Sequence, residues 1–153
     1  CKLMKFEWQD SFSIGVKQID DQHKSLISLS NKFHNALLNG QGTDVIEDVL
    51  KFLSLYVKIH FKTEEIYMAE HNYPLIKDHK AEHLELIKFV DELKKSYVNN
   101  TLNHSDALKL NIKLYQWYLK HIAESDKKLG DYLQNKKLKL VEINEKDLRS
   151  IGE

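Results

Sequence analysis

The chain has 153 residues, and its 23 Lys and Arg balance its 23 Asp and Glu. A chain of this length fits one domain, and its balanced, interspersed charges lack the basic footprint of a nucleic-acid-binding protein. The single Cys, at position 1, excludes an intrachain disulfide framework and fits a reducing compartment. No apolar run approaches the roughly 20 residues of a membrane span, and no signal-peptide pattern opens the sequence. We therefore expect a cytoplasmic protein.

Long helices are favoured, because only one Pro and five Gly interrupt a sequence rich in Lys, Leu and Glu. After an irregular lead that carries aromatic residues, capping residues and apolar periodicity predict four helices. These run from an N-cap at Asp20 or Asp21 to about Asn39, from a cap at Thr43 or Asp44 to about His71, from Pro74 to about Val98, and from about Asp106 to Gln134.

Short connections between four helices favour antiparallel neighbours. We predict an all-α fold: an up-down-up-down antiparallel four-helix bundle over residues 1–135, with an irregular N-terminal lead that contains Phe6, Trp8 and Phe12. The highly charged segment 136–153 is predicted to be an extension outside the bundle.

Seven His, Glu and Asp side chains are spaced so that one end of this bundle gathers them. They are His23 on the first helix, His60 and Glu64 on the second, His79 and His83 on the third, and His121 and Asp126 on the fourth. On the second and third helices the two members are four residues apart, so they share a helix face. In an antiparallel bundle all seven lie at one level along the axis.

A single pair of this kind is more often a surface feature or a half-buried histidine than a metal site. Four helices contributing at one level reverse that expectation, because burying Glu64 and Asp126 without cationic partners is costly and no Lys or Arg occupies the same inward rows. His34 and His71 each follow a candidate ligand by eleven residues, which places them about 16 Å further along the axis, and His104 is predicted in the loop before the fourth helix. We expect these three to be polar or solvated and not ligands.

The composition of the set indicates which metal it suits. Five imidazoles and two carboxylates exceed the four ligands of a tetrahedral zinc site. They suit two octahedral ions with each carboxylate bridging, and the mixed nitrogen and oxygen set favours iron or manganese. Other di-iron bundles supply four Glu and two His. A histidine-rich set stabilises highly oxidised iron less well, which favours dioxygen binding over oxygen activation.

Four short motifs resemble those of the hemerythrin family. Residues 20–26 (DDQHKSL) resemble its first-helix motif, and residues 60–65 (HFKTEE) resemble its H-F-x-x-E-E motif. Residues 73–83 resemble Y-P-x4-H-x3-H, and residues 117–127 resemble W-x3-H-I-x3-D-K. The likeness covers about residues 6–133, and the lead is similar to that of the bacterial members, the bacteriohemerythrins.

The resemblance implies a di-iron centre that binds dioxygen. One iron would take His79, His83 and His121, the other would take His23 and His60, and an oxo or hydroxo group with Glu64 and Asp126 would bridge them. Dioxygen would bind the two-histidine iron in a dry pocket formed by Leu26, Phe61, Trp117, Tyr118 and Ile122, although each of these also fits ordinary core packing. Tyr118 departs from the family pattern, in which an aliphatic residue usually follows the Trp. Its hydroxyl either hydrogen-bonds bound oxygen or points away.

Three functions fit such a centre. The first is reversible, non-enzymatic oxygen binding for carriage, storage or delivery, with dioxygen as the ligand. The second is an oxygen- or redox-sensing domain of a larger bacterial signalling protein, and the third is a di-iron oxidoreductase such as a peroxidase. We predict the first, with the sensing domain as the alternative.

Overall fold

The computed structural model describes residues 7–135, and its regular secondary structure in this part of the chain is helical. A 3₁₀ turn (Asp10–Phe12) precedes α1 (Lys17–Leu38), α2 (Gly42–Glu70) and α3 (Ile76–Val98). The fourth rod of the bundle consists of α4 (His104–Trp117), a π-helical segment (Tyr118–Asp126) and α5 (Lys127–Asn135), which follow one another without a break. The predicted all-α four-helix bundle is confirmed. The predicted extension 136–153 and Phe6 of the lead lie outside the described residues.

The first three helices end in the same way, with a residue in the left-handed region. Gly40 has a φ of 73°, and the N–H of Gln41 behind it donates to the Ala36 carbonyl at 2.7 Å. Asn72 and Asn100, with φ of 53° and 55°, have the same role after α2 and α3. Such ends satisfy the last helical carbonyls and reverse the chain within a few residues. Neighbouring helices therefore run antiparallel.

The lead packs against the first helix, α1, and the last helix, α5. Asp20 was predicted to cap the first helix, but α1 already begins at Lys17. The Asp20 carboxylate instead accepts hydrogen bonds from Ser13 Oγ at 2.5 Å and from the Ile14 N–H at 2.9 Å. On the other side α5 comes so near that a Cβ added at Gly130 would lie 2.4 Å from the Ile14 carbonyl oxygen. The lead thus closes this end of the bundle.

The other helix starts differ from the predicted ones by two or three residues: the cap of α2 is Gln41, α3 begins at Ile76 and α4 at His104. The start of α4 is set by a capping box that the prediction missed. Asn103 Oδ1 accepts from the Asp106 N–H, and an Asp106 carboxylate oxygen accepts from the Asn103 N–H, both at 3.0 Å. Reciprocal bonds of this kind satisfy two of the free amides of a helix start.

Two separate hydrophobic clusters fill the interior. The larger cluster includes Leu53, Leu86, Leu110 and Leu114, and Trp8 and Phe12 of the lead pack against it. The smaller cluster lies under the lead and consists of Ile14, Val16, Ile19, Tyr67, Met68, Tyr73, Leu129 and Leu133. Within residues 7–135 no helix has the length and apolar character to cross a membrane.

Candidate metal centre

The seven predicted ligands form a polar layer between the two hydrophobic clusters. On α2, Phe61 belongs to the larger cluster and Met68 to the smaller one, and Glu64 lies between them. On α1, His23 follows Ile19 of the smaller cluster by one turn. Not one of the seven side chains is more than 2% exposed. The bundle therefore buries five imidazoles and two carboxylates together, at the level that the spacing predicted.

Glu64 is the first meeting point of this layer. Its Oε1 lies 3.2 Å from His60 Nε2, and its Oε2 lies 3.2 Å from His79 Nε2 and 3.3 Å from His83 Nε2. One carboxylate from α2 thus contacts imidazoles from two helices.

Asp126 is the second meeting point, on the opposite side of the bundle. Its Oδ2 lies 2.9 Å from His23 Nε2, and its Oδ1 lies 3.0 Å from His79 Nε2 and 3.1 Å from His121 Nε2. Each of the five histidines presents Nε2, and not Nδ1, to Glu64 or Asp126.

These side chains form two overlapping groups, and within each group the ligand atoms lie within 4.8 Å of one another. The groups are Glu64, His79, His83, His121 and Asp126, and His23, His60, Glu64 and Asp126. Because the two carboxylates belong to both groups, the arrangement fits two metal ions that share them. That these residues bind metal stays a prediction.

The nitrogen atoms test the fit to a cation. His83 Nδ1 lies 3.1 Å from a Glu65 oxygen and His121 Nδ1 lies 3.1 Å from a Glu82 oxygen, so both donate a proton through Nδ1. In a neutral imidazole this leaves a lone pair on Nε2. The Nε2 atoms of His83 and His121 are 3.2 Å apart. Two lone pairs at that distance need a cation between them, and two ligands at right angles on one ion about 2.1 Å away are separated by about 3 Å.

The oxygen atoms give the same result. Glu64 Oε1 and both carboxylate oxygens of Asp126 are buried and have no hydrogen-bond partner among residues 7–135. In this part of the chain their ion-pair partners are histidines. Buried carboxylates are normally hydrogen-bonded, paired with a cation or coordinated to a metal. The donor set therefore fits two bridged metal ions.

The π-helical segment explains how His121 and Asp126 reach the same site. Residues five apart in an α-helix point about 140° away from each other, since each residue turns by about 100°. A π-helix closes its turn between residues i and i+5, so here the two side chains lie on one face. The wider turn was not predicted, although the five-residue spacing of the two candidates is its sequence signal.

The mutual contacts of these groups set their pKa values in the metal-free protein. Burial disfavours the charged form of His79, but hydrogen bonds to Asp126 and Glu64 outweigh it and raise the pKa of His79 to about 9. Burial also disfavours the charged form of His121, but the contacts with Asp126 and Glu64 outweigh it and raise the pKa of His121 well above its usual value. The pKa of Glu64 is held well below its ordinary range, against the effect of burial, by the surrounding imidazoles. Protons thus take the cation's place between these groups.

Comparison with known proteins agrees with this geometry. Residues 14–133 match the model of the hemerythrin HHE cation binding domain. The chain belongs to the hemerythrin family. It is similar to the bacteriohemerythrins of Clostridium acetobutylicum (30% identical over 129 residues, 82% of this chain and 99% of that protein), Methylococcus capsulatus (31% over 126 residues, 80% and 91%) and Stenotrophomonas maltophilia (32% over 130 residues, 83% and 80%). The resemblance seen in the motifs is confirmed.

A second layer of polar side chains surrounds this hemerythrin centre, and the sequence reasoning missed it. Gln22, Glu65 and Glu82 each contact the Nδ1 atom of one of the histidines. Thr63 and Ser125 in turn donate or accept hydrogen bonds with members of this layer. All five lie within four residues of a predicted ligand, which is the signal that would have identified them.

The five residues predicted to line the dioxygen pocket are buried in the hemerythrin bundle: Leu26, Phe61, Trp117, Tyr118 and Ile122. The Phe61 ring lies parallel to the His83 ring, with centroids 3.9 Å apart and planes 2° apart. The Tyr118 hydroxyl donates to the Leu26 carbonyl oxygen at 3.1 Å and also hydrogen-bonds the Ser30 hydroxyl. These contacts direct the hydroxyl at α1. Their role toward oxygen stays a prediction.

The three remaining described histidines lie outside the centre. His34, predicted to be polar or solvated, is buried on α1 at 4% exposure, because eleven residues return it to the inward face of the helix. His71 is half-buried after the end of α2, and His104 is the exposed first residue of α4 and not part of the loop. Neither metal-ligand group of the described residues includes any of the three.

Proposed function

We propose that this chain binds dioxygen reversibly at a centre of two iron ions, for oxygen carriage, storage or delivery. The observation that supports it best is the sharing of Glu64 and Asp126 by two buried groups with unequal numbers of histidines. Membership of the hemerythrin family supports the same function.

The ligand groups support an unequal pair of ions. His79, His83 and His121 would hold one ion, His23 and His60 the other, and both carboxylates and an oxo or hydroxo group would bridge them. Octahedral coordination would then be complete at the first ion and one ligand short at the second. Ferrous ions supply the electrons that dioxygen needs when it binds, and the open position lies on the two-histidine side.

The residues around the centre exclude water. Phe61 covers the His83 ring, Trp117 covers the His121 ring, and Leu26 and Ile122 are 1% and 0% exposed. A site closed to water keeps stray protons and anions away from bound oxygen, which favours release of dioxygen over loss of its reduced forms. This closure supports reversible binding over oxidase or peroxidase chemistry.

The test begins with iron content, which should be two per chain after expression in iron-rich medium. The anaerobic ferrous protein should be nearly colourless, gain a visible charge-transfer band on exposure to oxygen and lose it under vacuum. Glu64→Ala should abolish the band because it removes a side chain shared by both groups. His71→Ala is the matched control, since His71 directly follows the end of α2 and lies outside both groups.

Two outcomes would overturn the proposal. One iron per chain, or zinc after iron-replete expression, would contradict a di-iron centre. A band that forms and never reverses would favour the oxygen- or redox-sensing alternative over a carrier.

A further inference from the structure

The acceptors behind the histidines differ in charge between the two ligand groups. His83 Nδ1 lies 3.1 Å from Glu65 Oε2, and His121 Nδ1 lies 3.1 Å from Glu82 Oε1. Both of these histidines belong to the three-histidine group. In the two-histidine group, His60 Nδ1 lies 2.8 Å from Oε1 of Gln22, an uncharged amide.

A chain of hydrogen bonds fixes the orientation of the Gln22 amide. Thr63 Oγ1 donates to the Ile59 carbonyl oxygen at 2.7 Å, so it accepts from Gln22 Nε2 at 3.2 Å. The carbonyl end of Gln22 therefore faces His60, which donates its Nδ1 proton. The second member of the group, His23, has no partner for Nδ1 among residues 7–135. The two-histidine side is thus backed by a neutral acceptor alone.

On the three-histidine side, Glu82 is held in place by a second hydrogen-bond donor besides His121. Ser125 Oγ lies 2.8 Å and 2.9 Å from its two carboxylate oxygens, and Ser125 follows His121 by four residues in the π-helical segment. The Glu82 carboxylate therefore accepts hydrogen bonds from both His121 Nδ1 and Ser125 Oγ. The side chain is 38% exposed, so solvent screens part of its charge.

Glu65 provides the second charge on this side. Its Oε2 accepts the Nδ1 proton of His83 at 3.1 Å. Lys80 Nζ lies 3.7 Å from the other Glu65 oxygen and offsets part of the negative charge. Because this lysine offsets part of the Glu65 charge, we expect Glu65 to contribute less than Glu82.

A carboxylate that accepts the Nδ1 proton of a metal-bound histidine makes the imidazole a stronger electron donor, and a neutral amide does so less. We propose that Glu65 and Glu82 are positioning residues that make the three-histidine side of the centre easier to oxidise than the two-histidine side. The proposal rests on the di-iron centre of the proposed function. Its consequence is that the first electron lost comes from the three-histidine side, so the side with the open position stays ferrous longer.

The test replaces charge while keeping the hydrogen bond. Glu65→Gln and Glu82→Gln retain side-chain length and an amide oxygen, and Gln22 already shows that such an amide holds a histidine here. Both variants should keep two irons per chain. Anaerobic spectroelectrochemical titration should show the first one-electron step shifted to more positive potential, more in Glu82→Gln than in Glu65→Gln, and furthest in the double variant.

Glu85→Gln is the matched control, because it removes the same charge from the same helix. Glu85 is exposed and lines the same surface cleft as Glu82. The reciprocal change Gln22→Glu should move the potential of the two-histidine side in the negative direction and make the two steps less separated. Glu82→Ala removes the hydrogen bond as well, and should weaken iron retention against a chelator about 10- to 100-fold.

Equal potentials in Glu82→Gln, Glu65→Gln and Glu85→Gln would overturn the inference, as would a positive shift in Gln22→Glu. Circular dichroism melts of every variant separate these effects from loss of fold. The titration uses no oxygen, so its result is independent of reversible oxygen binding. A protein that holds two irons and shows the shifts but never releases oxygen would contradict the proposed function alone.

Discussion

The indole of Trp117 lies almost parallel to the imidazole of His121, with ring centroids 3.9 Å apart and planes 16° apart. The same indole lines a shallow surface cleft together with Glu82, Lys113 and Lys120. Trp117 is 7% exposed, whereas His121 behind it is 1% exposed. The indole therefore covers one face of a predicted iron ligand at the edge of a charged cleft that His121 also lines.

Replacing this indole should open the centre to water. Trp117→Ala is expected to shorten the lifetime of the oxygenated form and to lower the free energy of unfolding by about 3–5 kcal/mol, as for other large-to-small core changes. Repeated absorption spectra after oxygenation and a denaturant titration measure the two effects. Leu119→Ala, two residues further along the same rod and at a 45% exposed position, is the control and should change neither the lifetime nor the stability. An unchanged lifetime in Trp117→Ala would show that the indole does not shield the centre.

Metal binding should release protons. The pKa of His79 in the metal-free protein is raised from 6.5 to about 9, so at pH 7 the imidazole carries a proton that a metal ion must displace. Apparent affinity for ferrous ion should rise with pH and level off above about 9, and calorimetry in buffers of different ionisation enthalpy counts the protons. Affinity that is flat between pH 6.5 and 9 would contradict this assignment.

The same shift gives the sign for stability of the metal-free protein. Because the pKa of His79 is higher in the folded than in the unfolded state, its protonation stabilises the folded protein fully below about pH 6.5. This stabilisation is lost as the pH rises through about 9. Metal-free protein should therefore melt at a lower temperature at pH 9 than at pH 6.5. In the iron-loaded protein His79 would be neutral throughout, so the contribution of this histidine should disappear.

The Tyr118 hydroxyl should matter for stability and not for oxygen. Burial raises the pKa of Tyr118, so the group stays protonated and donates to the Leu26 carbonyl. Tyr118→Phe should cost about 1 kcal/mol of unfolding free energy, the net value of a typical hydrogen bond. The position and lifetime of the oxygenated band should stay as in the wild type. A changed band would mean that the hydroxyl contacts bound oxygen.

Removal of iron should destabilise the bundle as a whole. The metal layer lies between two hydrophobic clusters, and without metal its buried carboxylates have only histidines as ion-pair partners among residues 7–135. A metal ion that binds the folded state and not the unfolded state raises the free energy of unfolding by mass action. The melting temperature followed by circular dichroism should fall after chelation and return on adding ferrous ion. Equal melting temperatures with and without iron would contradict the coupling of metal binding to folding.

The four helices and their common polar level were predictable because both depend on periodicity. Inward positions recur every three to four residues, and seven candidates that share one level in an antiparallel bundle leave few other arrangements. The precise helix starts were not predictable, because Asp20 fits an N-cap by type but its carboxylate binds the lead. That choice depends on a tertiary contact that local sequence does not contain.

The second layer was missed for a related reason. Gln22, Glu65 and Glu82 are ordinary polar residues on helices, and only the packing of the helices brings them to the Nδ1 atoms. The sequence prediction left His34 as either polar or solvated and did not choose between them. Its position eleven residues after His23 already placed it on the inward face.

The π-helical segment also sets the rotational phase of everything that follows it. If residues 118–126 closed into a regular α-helix with no residue removed, each side chain beyond the wide turn would be rotated by about 100° relative to those before it. Asp126 would then leave the iron layer, and Leu129 and Leu133 would turn away from the smaller cluster at the same time. The wide turn therefore couples assembly of the centre to closure of the bundle end.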